Sequence, residues 1–155
     1  MRAALLAVAL IICAPQAFAE PELAAFFGRA TGGKDVDIVR LAYRKGPLQV
    51  GASAWWVPDI RGKTRRYDLN ASAIWRAERA WGYLEAGFGP YLLSRTVNNR
   101  TTSLPSELQF GSHVGAGLRL GRTTLGLAFQ HLSNAGIKQP NGGIDFVQLT
   151  LGYAL

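Results

Sequence analysis

The 155-residue sequence predicts an all-β fold, an eight-stranded antiparallel transmembrane β-barrel of the outer membrane. Three observations predict this fold: apolar residues alternate with polar or small ones, the alternating segments are eight in number, and short connections alternate with longer ones. An even strand number, with short turns at one end and longer loops at the other, is typical of outer-membrane barrels. The mean hydropathy of +0.07 agrees with such alternation, because apolar and polar residues then average out.

The N-terminal segment, residues 1–19, has the pattern of a secretory signal peptide. Arg2 provides a basic start, residues 3–14 are apolar, and small residues follow at the two positions that a signal peptidase recognises. The apolar run is too short to cross a bilayer, which takes about 20 residues. We therefore expect cleavage after Ala19 and a barrel domain of residues 20–155; a buried N-terminal helix is the alternative. The single cysteine lies in the cleaved segment, which leaves the exported domain without a disulfide or a multi-cysteine zinc site.

Each strand is predicted either from the length of its segment or from the alternation of apolar and polar residues along it. The first two segments, the fifth and the seventh are long enough for a tilted span of about 9–11 residues. The third and fourth segments carry apolar side chains on one parity and polar or small ones on the other, as the sixth and the last also do. In chain order the strands are residues 22–31, 36–45, 48–57, 67–76, 82–95, 108–120, 122–133 and 147–155.

Glycines fill much of the second face of these strands, which fits the narrow interior of an eight-stranded barrel. The sheet has to close because hydrocarbon offers no partner to an open sheet edge. The alternative fold is a soluble secreted barrel or sandwich whose apolar face turns inward. Its exterior would then carry far fewer charges than a water-exposed face needs.

The connections give the barrel a direction. Short links at residues 45–47, 78–80 and 121–122 alternate with longer or more polar ones at residues 31–35, 58–64, 96–106 and 134–143. Because short turns face the periplasm in outer-membrane barrels, the longer loops are expected at the cell exterior. The lipid leaflet on that side is lipopolysaccharide.

Three polar residues interrupt the lipid-facing parity near the predicted exterior end. His131 and Ser133 continue the lipid-facing parity of the seventh strand, and Asp145 has the parity of the apolar residues of the eighth. If His131 pairs with Asp145, the carboxylate can reach the imidazole, since directly opposed Cβ atoms lie about 4.5–5.5 Å apart. Ser133 needs some twist or a bulge to reach the ring.

These are the residue types of a hydrolytic triad, with Ser133 as nucleophile, His131 as general base and Asp145 as the group that orients the imidazole. Asn134 and the backbone around Gly136 lie where hydrogen-bond donors can meet an oxyanion. The site would open sideways into lipid, so its substrate would be embedded in the outer leaflet. The alternative is that the strands end just before His131 and these residues are loop groups at headgroup level.

The run from His131 to Asn141, HLSNAGIKQPN, followed by Gly-Ile-Asp at residues 143–145, closely resembles the signature of the lipid A 3-O-deacylases, the PagL family. The resemblance implies an outer-membrane esterase that removes the acyl chain at the 3 position of lipid A, with no metal or other cofactor. Transferred residue by residue, it assigns the triad and the oxyanion donors to the same five positions. The family acid is commonly glutamate, so the aspartate at position 145 has an arm one methylene shorter.

Basic residues concentrate in the predicted external loops of a chain whose formal net charge is +7. Guanidinium and ammonium groups there can bind the phosphates of lipid A. General adhesion to lipopolysaccharide is the alternative. The residues assigned to this weaker phosphate site are Arg61, Lys63, Arg65, Arg66 and Lys138.

Lipid A in lipopolysaccharide is thus the expected substrate, and outer-membrane lipid the expected surroundings. Nucleic acid is a poor partner for an exported barrel despite the basic charge, and a homodimer stays open. Two other functions stay open: a structural or adhesive barrel without chemistry, and an acyltransferase that passes the chain to another lipid. Inside the barrel, His113 is expected to pack rather than catalyse, and Glu85 and Asp68 to pair with Arg76, Arg119 or Arg40.

Overall fold

The computed structural model describes residues 20–59, 62–98 and 103–155. The predicted signal peptide, residues 1–19, lies outside the described residues. Within them the chain forms ten strands: β1 (Glu22–Ala30), β2 (Asp37–Lys45), β3 (Leu48–Asp59), β4 (Gly62–Arg79), β5 (Gly82–Leu93), β6 (Val97–Asn98), β7 (Ser103–Leu104), β8 (Leu108–Leu120), β9 (Thr123–Ser133) and β10 (Ile144–Ala154).

Eight of these strands close an antiparallel barrel in the order β1-β10-β9-β8-β5-β4-β3-β2, so the predicted eight-stranded barrel is confirmed. β6 and β7 pair with each other in a small separate hairpin. The tight turns after β2, β4 and β8 lie at one end of the barrel, which we call the turn end. The β1–β2, β3–β4, β5–β8 and β9–β10 connections lie at the other end, the loop end. Among the described residues, no helix is long and apolar enough to cross a membrane.

The outer surface of the barrel is a belt of apolar side chains. Leu69, Leu127 and Val114 leave 66%, 61% and 58% of their surface exposed, which only an apolar surrounding makes favourable. A closed barrel with an outward apolar face suits lipid because it leaves no unpaired sheet edge. The alternative with the apolar face turned inward is therefore wrong.

The interior near the turn end holds a network of buried charges. Arg44 donates to Glu22 at 2.9 Å and to Glu85 at 3.1 Å, and Arg76 donates to the same two carboxylates, each at 2.7 Å. Each of these four charges thus has an oppositely charged partner, which offsets the cost of its removal from water. His113 is buried beside Glu85, at 3.5 Å, in the packing position expected for it.

The predicted partners of the interior acids are right for one acid and wrong for the other. Glu85 pairs with Arg76, whereas Asp68 accepts hydrogen bonds from Trp55 and Asn70 and, within the described part of the chain, from no arginine. Arg119 is exposed at the turn end, and Arg40 donates to neutral side chains of the interior. Parity assigns a residue to one face of the sheet but leaves its neighbours across the interior undetermined.

Apolar side chains fill the interior at the loop end. Trp55 packs edge-to-face against Phe146, with ring centroids 5.3 Å apart. Two members of the cluster, Val97 and Leu104, come from the β6–β7 hairpin, so the predicted loop at residues 96–106 folds back over the barrel. The whole cluster comprises Val36, Ile38, Trp55, Val57, Tyr91, Leu93, Val97, Leu104, Leu132, Ile144 and Phe146.

The prediction of a loop at residues 58–64 is wrong. β3 and β4 remain paired through Asp59 and Gly62, and β4 is 18 residues long. Beyond the apolar belt both faces of a strand meet water, so the alternation ends although the strand continues. The β3–β4 hairpin therefore extends past the belt at the loop end.

Candidate active site

Buried side chains of β9 and β10 fix which residues of these strands face outward. Leu132 on β9 and Ile144 and Phe146 on β10 are at most 1% exposed and belong to the loop-end cluster. Because a strand alternates its side chains, the residues on either side of Leu132 and between Ile144 and Phe146 point outward. A register shift by one residue would turn Leu132 toward lipid, so burial specifies the register. The outward residues are His131, Ser133 and Asp145.

His131 and Asp145 lie directly opposite each other across β9 and β10, in the register that the sequence analysis considered for them. His131 Nδ1 is 2.6 Å from Asp145 Oδ1, so the shorter acid reaches the ring. The two side chains are 46% and 41% exposed, which places the pair on the outer surface. A carboxylate at Nδ1 favours the neutral tautomer in which Nδ1–H donates and Nε2 is free to accept. An imidazole in this state can accept a proton through Nε2.

Ser133 lies two residues from His131 on the same face of β9 and is partly buried. Its cross-strand neighbour is Phe110 on β8. Among the described residues no hydrogen bond joins the Ser133 hydroxyl to His131. The structure thus brings His131 and Asp145 together and leaves Ser133 nearby without that contact. Catalytic hydrogen bonds of this kind often tighten only when substrate binds.

Ser112 is a polar residue of the outer face that the sequence analysis missed. It is exposed on β8 and lies opposite His131, on the side away from Asp145. Asp145, His131 and Ser112 therefore stand in one row across three strands. Parity would have found Ser112, since it interrupts the apolar outward set of β8.

Asn134 organises the loop that follows β9. Its side chain is fully buried: Nδ2 donates to the Lys138 carbonyl at 2.7 Å, and Oδ1 accepts from the Gly136 N–H at 2.9 Å. The Asn134 backbone N–H donates to Asn141 Oδ1. The two predicted oxyanion donors are thus hydrogen-bonded to each other here, and Asn141 tethers the far end of the loop.

Gly143 packs against the imidazole of His131. A Cβ here would lie 2.9 Å from His131 Cε1, and the backbone φ is 56°, so both the space and the conformation favour glycine. Lys34, in the β1–β2 connection, donates to the Gly143 carbonyl at 2.7 Å. The Thr31 N–H donates to the Asp145 carbonyl at 2.9 Å. Sequence reasoning missed Lys34 and Gly143, because these contacts join segments distant in the chain.

The predicted phosphate-binding cations fall into separate places. Lys138 is exposed in the loop after β9, beside the candidate site. Lys63, Arg65 and Arg66 lie on β4, three positions from β9 in the barrel order. Arg61 lies outside the described residues.

Lys63 is already paired with carboxylates. It donates to Asp37 at 2.7 Å and to Asp35 at 3.1 Å, and these hydrogen bonds raise the pKa of Lys63 above its ordinary value. Arg66 donates to the Arg65 carbonyl. Lys138 is therefore the one described member of the predicted set in the β9–β10 loop, where its carbonyl accepts a hydrogen bond from Asn134.

The His131 and Asp145 side chains are open to the outside, at 46% and 41% exposure. A separate apolar groove of about 500 Å³ lies at the turn end, lined by Trp81, Tyr83, Leu84 and Leu118 among others. Within the described part of the chain, no group of three His, Cys, Asp or Glu side chains could hold a metal ion. A molecule that binds to this outer face would contact Asp145 and His131, with Ser133 nearby.

A family model described as "Lipid A 3-O-deacylase (PagL)" matches residues 39–154. The chain belongs to the PagL family. The match includes β9, β10 and the loop between them, so the resemblance carried by residues 131–145 is part of a likeness that covers most of the barrel.

Two PagL relatives bear the name lipid A deacylase PagL. The Bordetella bronchiseptica protein is 39% identical over 109 residues, which cover 68% of this chain and 60% of the relative. The Pseudomonas aeruginosa protein is 41% identical over 69 residues, which cover 43% of this chain and 39% of the relative. Both alignments span less than two thirds of the relative's length.

Solved structures show the same fold. The crystal structure of the outer membrane enzyme PagL matches with a TM-score of 0.63 and 23% identity, covering 86% of this chain and 99% of the other. A de novo designed transmembrane β-barrel matches with a TM-score of 0.53 and 11% identity, covering 92% and 100% of the two chains. Since a designed barrel shares the fold, the barrel itself specifies no chemistry. Function in this PagL-family chain has to be argued from the residues of its site.

Proposed function

We propose that this chain is an outer-membrane esterase that hydrolyses the 3-O-linked acyl chain of lipid A in lipopolysaccharide. The observation that carries the proposal is the 2.6 Å hydrogen bond between His131 Nδ1 and Asp145 Oδ1 on the outward face of the barrel. Family membership supports the substrate class, because both relatives are named lipid A deacylases. The carboxyl ester is the bond that a nucleophile and a base of this kind cleave.

In the proposed reaction Ser133 is the nucleophile. Its Oγ attacks the ester carbonyl while His131 Nε2 takes the hydroxyl proton, and the protonated imidazole then gives that proton to the departing sugar hydroxyl. Asp145 keeps the ring oriented and stabilises the imidazolium. A water molecule, deprotonated by His131, attacks the acyl-enzyme, releases the fatty acid and restores Ser133.

The proposed oxyanion donors are the Gly136 N–H and the Asn134 side-chain amide. Both now bond within the loop, so an oxyanion would have to replace Asn134 Oδ1 at the Gly136 N–H. Gly136 is exposed whereas Asn134 is buried, so a substrate meets the Gly136 N–H first. Rearrangement of this loop then accompanies the first chemical step.

The position of the pair along the strands suits an ester at the boundary of the hydrocarbon. The next outward residue toward the turn end is Phe129 after His131 and Val147 after Asp145, with 46% and 49% of their surface exposed. A two-residue step along a tilted strand changes depth by about 5 Å. Acyl chains can thus lie on the belt while the ester meets His131. The cations proposed for the phosphates of the headgroup are Lys138 and, farther around the rim, Lys63, Arg65 and Arg66, together with Arg61, which lies outside the described residues.

Mass spectrometry of lipid A tests the proposal. The wild type and the variants Ser133→Ala and His131→Ala are expressed in a Gram-negative host, and their lipid A is compared. We expect the wild type to remove the mass of one 3-hydroxyacyl chain. Both variants should leave lipid A intact, because one lacks the nucleophile and the other lacks the base.

Ser112→Ala is the matched control, since it makes the same change on the same face of the neighbouring strand and should keep deacylation. Unchanged lipid A in cells that hold folded wild-type protein in the outer membrane would favour a structural or adhesive barrel. An acylated acceptor lipid without free fatty acid would favour an acyltransferase. Deacylation that survives Ser133→Ala and is lost in Ser112→Ala would move the nucleophile to Ser112.

A further inference from the structure

The segment before β10 depends on contacts from another part of the chain. Gly143 lies outside the strand ladder, which begins at Ile144, and has a left-handed φ of 56°. Its carbonyl accepts a hydrogen bond of 2.7 Å from the partly buried ammonium of Lys34, 109 residues away in sequence. Across from it, the Thr31 N–H holds the Asp145 carbonyl at 2.9 Å. Two hydrogen bonds from the β1–β2 connection thus hold the two ends of segment 143–145.

We propose that Lys34 is a positioning residue of the site: by holding the Gly143 carbonyl, it keeps Gly143 packed on the imidazole of His131. The proposal rests on the proposed function for its catalytic consequence, whereas its structural consequence can be measured without activity.

Gly143 is the link between Lys34 and the imidazole. A Cβ built on Gly143 would stand 2.9 Å from His131 Cε1 and 3.5 Å from His131 Nε2, so the Gly143 backbone lies along the ring edge that includes Nε2. Asp145 restrains the ring at the neighbouring nitrogen, Nδ1. The hydrogen bond at Nδ1 and the packing of Gly143 beside Cε1 and Nε2 together restrict the orientation in which Nε2 can face a substrate.

The surroundings of Lys34 leave its charge available to the carbonyl. Its neighbour Asp35 is engaged by Arg29 and Lys63, and among the described residues no ion pair joins Lys34 to a carboxylate. A hydrogen bond from a charged donor is stronger than one between neutral groups. Lys34 is therefore better suited than a neutral side chain to hold Gly143, which lies outside the strand ladder.

Three variants test the proposal kinetically. Lys34→Met keeps the length and removes the donor, Lys34→Arg restores a donor, and Lys45→Met makes the same change at an exposed lysine of the turn end. On purified protein with lipid A in mixed micelles, we expect Lys34→Met to lower kcat about 10- to 100-fold while KM stays within about twofold, since a small misplacement has an effect of this size. Lys34→Arg should recover most of kcat, and Lys45→Met should match the wild type.

The split between kcat and KM separates positioning from substrate binding. A raised KM at unchanged kcat would mean that Lys34 contacts the anionic headgroup, and unchanged values of both would mean that the contact has no influence; either result overturns the proposal. A loss shared by Lys34→Met and Lys34→Arg would point to packing rather than to the donor and would overturn it as well. Heat-modifiable electrophoretic mobility checks that each variant is folded.

An NMR measurement gives the structural consequence without using activity. The chain has two histidines, so the ring Cε1–H signals of His131 and His113 can be assigned with one His131→Gln variant. We expect Lys34→Met to shift the His131 signal, Lys34→Arg to restore it, and the His113 signal to stay constant. An unmoved His131 signal overturns the positioning role even in an active enzyme. If the wild type proves inactive, the proposed function fails while this measurement still decides the role of Lys34.

Discussion

The hydrogen-bonded pair of His131 and Asp145 places a carboxylate on the outer face of the barrel, next to the apolar belt. Ionisable groups in contact with hydrocarbon are costly and therefore usually functional. Asp145 lies just past the belt, and its Oδ1 is 2.6 Å from His131 Nδ1. The exposure of both side chains is what a substrate held in the membrane needs, because it can approach only from the lipid side.

Replacing Asp145 should be less harmful than replacing Ser133. Asp145→Ala keeps the nucleophile and the base and loses only the orientation and the charge that support the ring. By the behaviour of other serine triads, we expect kcat to fall on the order of 10⁴-fold in Asp145→Ala and 10⁶-fold in Ser133→Ala. Single-turnover release of fatty acid from lipid A measures both. Equal losses would count against separate roles for the two residues.

Gly143→Ala should reduce activity without unfolding the barrel. The new methyl would press on His131 Cε1 at 2.9 Å and would force alanine into the left-handed region, which costs about 1–2 kcal/mol. We expect kcat to fall about 10- to 100-fold through displacement of the ring. The control is Gly142→Ala, where the nearest atom to an added Cβ is 3.8 Å away. Similar rates in the two variants would contradict the contact.

At the scale of the element, alternate residues of β9 and β10 have different roles on the inner and the outer face of the barrel. Their inward side chains join the loop-end cluster, and their outward side chains form first the belt and then the site. Leu132 shows the connection, since its complete burial holds His131 and Ser133 on the lipid side. Packing on the inner face of these strands therefore holds the proposed catalytic side chains on the outer face.

Leu132→Ala should destabilise the barrel more than Leu127→Ala on the same strand. Leu132 is fully buried, so its truncation leaves a cavity and should lower the free energy of unfolding by about 2–5 kcal/mol. Leu127 is 61% exposed in the belt, where lipid fills the space left by truncation, so only the transfer from water to lipid is lost and the expected change is about 1–2 kcal/mol. Urea unfolding in lipid vesicles measures both. A larger loss in Leu127→Ala would contradict the two-faced account of β9.

The alternation of the belt made the barrel strands and the shared outward face of His131 and Asp145 predictable from the sequence, because a period of two requires only one buried or lipid-facing side; their direct pairing was one register that this parity allowed. Alternation failed where both faces of the chain meet water, as in residues 62–66 at the start of β4, and where a short hairpin folds over the barrel. Contacts such as that of Lys34 with Gly143 lie 109 residues apart and leave no local pattern. The family signature suggested the reaction, whereas the contacts of Lys34 and Gly143 that hold the site were visible only in the structure.

The whole molecule separates three environments along and across one sheet. Lipid contacts the belt, charged side chains paired with one another occupy the interior near the turn end, and apolar side chains close the interior at the loop end. The network of Arg44 and Arg76 with two glutamates shows that polar groups belong inside this barrel. Outward polar groups instead stand past the belt at the loop end: the hydrogen-bonded Asp145 and His131, and the ion-paired Arg29, Asp37 and Lys63.

A charge in the middle of the belt should destabilise the protein far more than a charge in a loop. Leu149 lies near the centre of β10 and is 47% exposed to the outside, whereas Ile137 is 62% exposed in the loop after β9. Leu149→Arg should lower the free energy of unfolding in vesicles by about 2–4 kcal/mol, as expected at the bilayer midplane. Ile137→Arg should leave it nearly unchanged. Equal stability of the two variants would mean that the apolar face does not meet lipid.

Hydrolysis in water labelled with ¹⁸O tests the central claim most directly. Purified protein is placed in vesicles that contain lipid A, and the released fatty acid is analysed by mass spectrometry. The wild type and Ser112→Ala should release a 3-hydroxy or 3-acyloxy acid whose carboxyl group carries ¹⁸O, and Ser133→Ala and His131→Ala should release none. Labelled acid from Ser133→Ala, or an acyl chain found on another lipid with no labelled acid, would contradict an esterase that works through Ser133, His131 and Asp145.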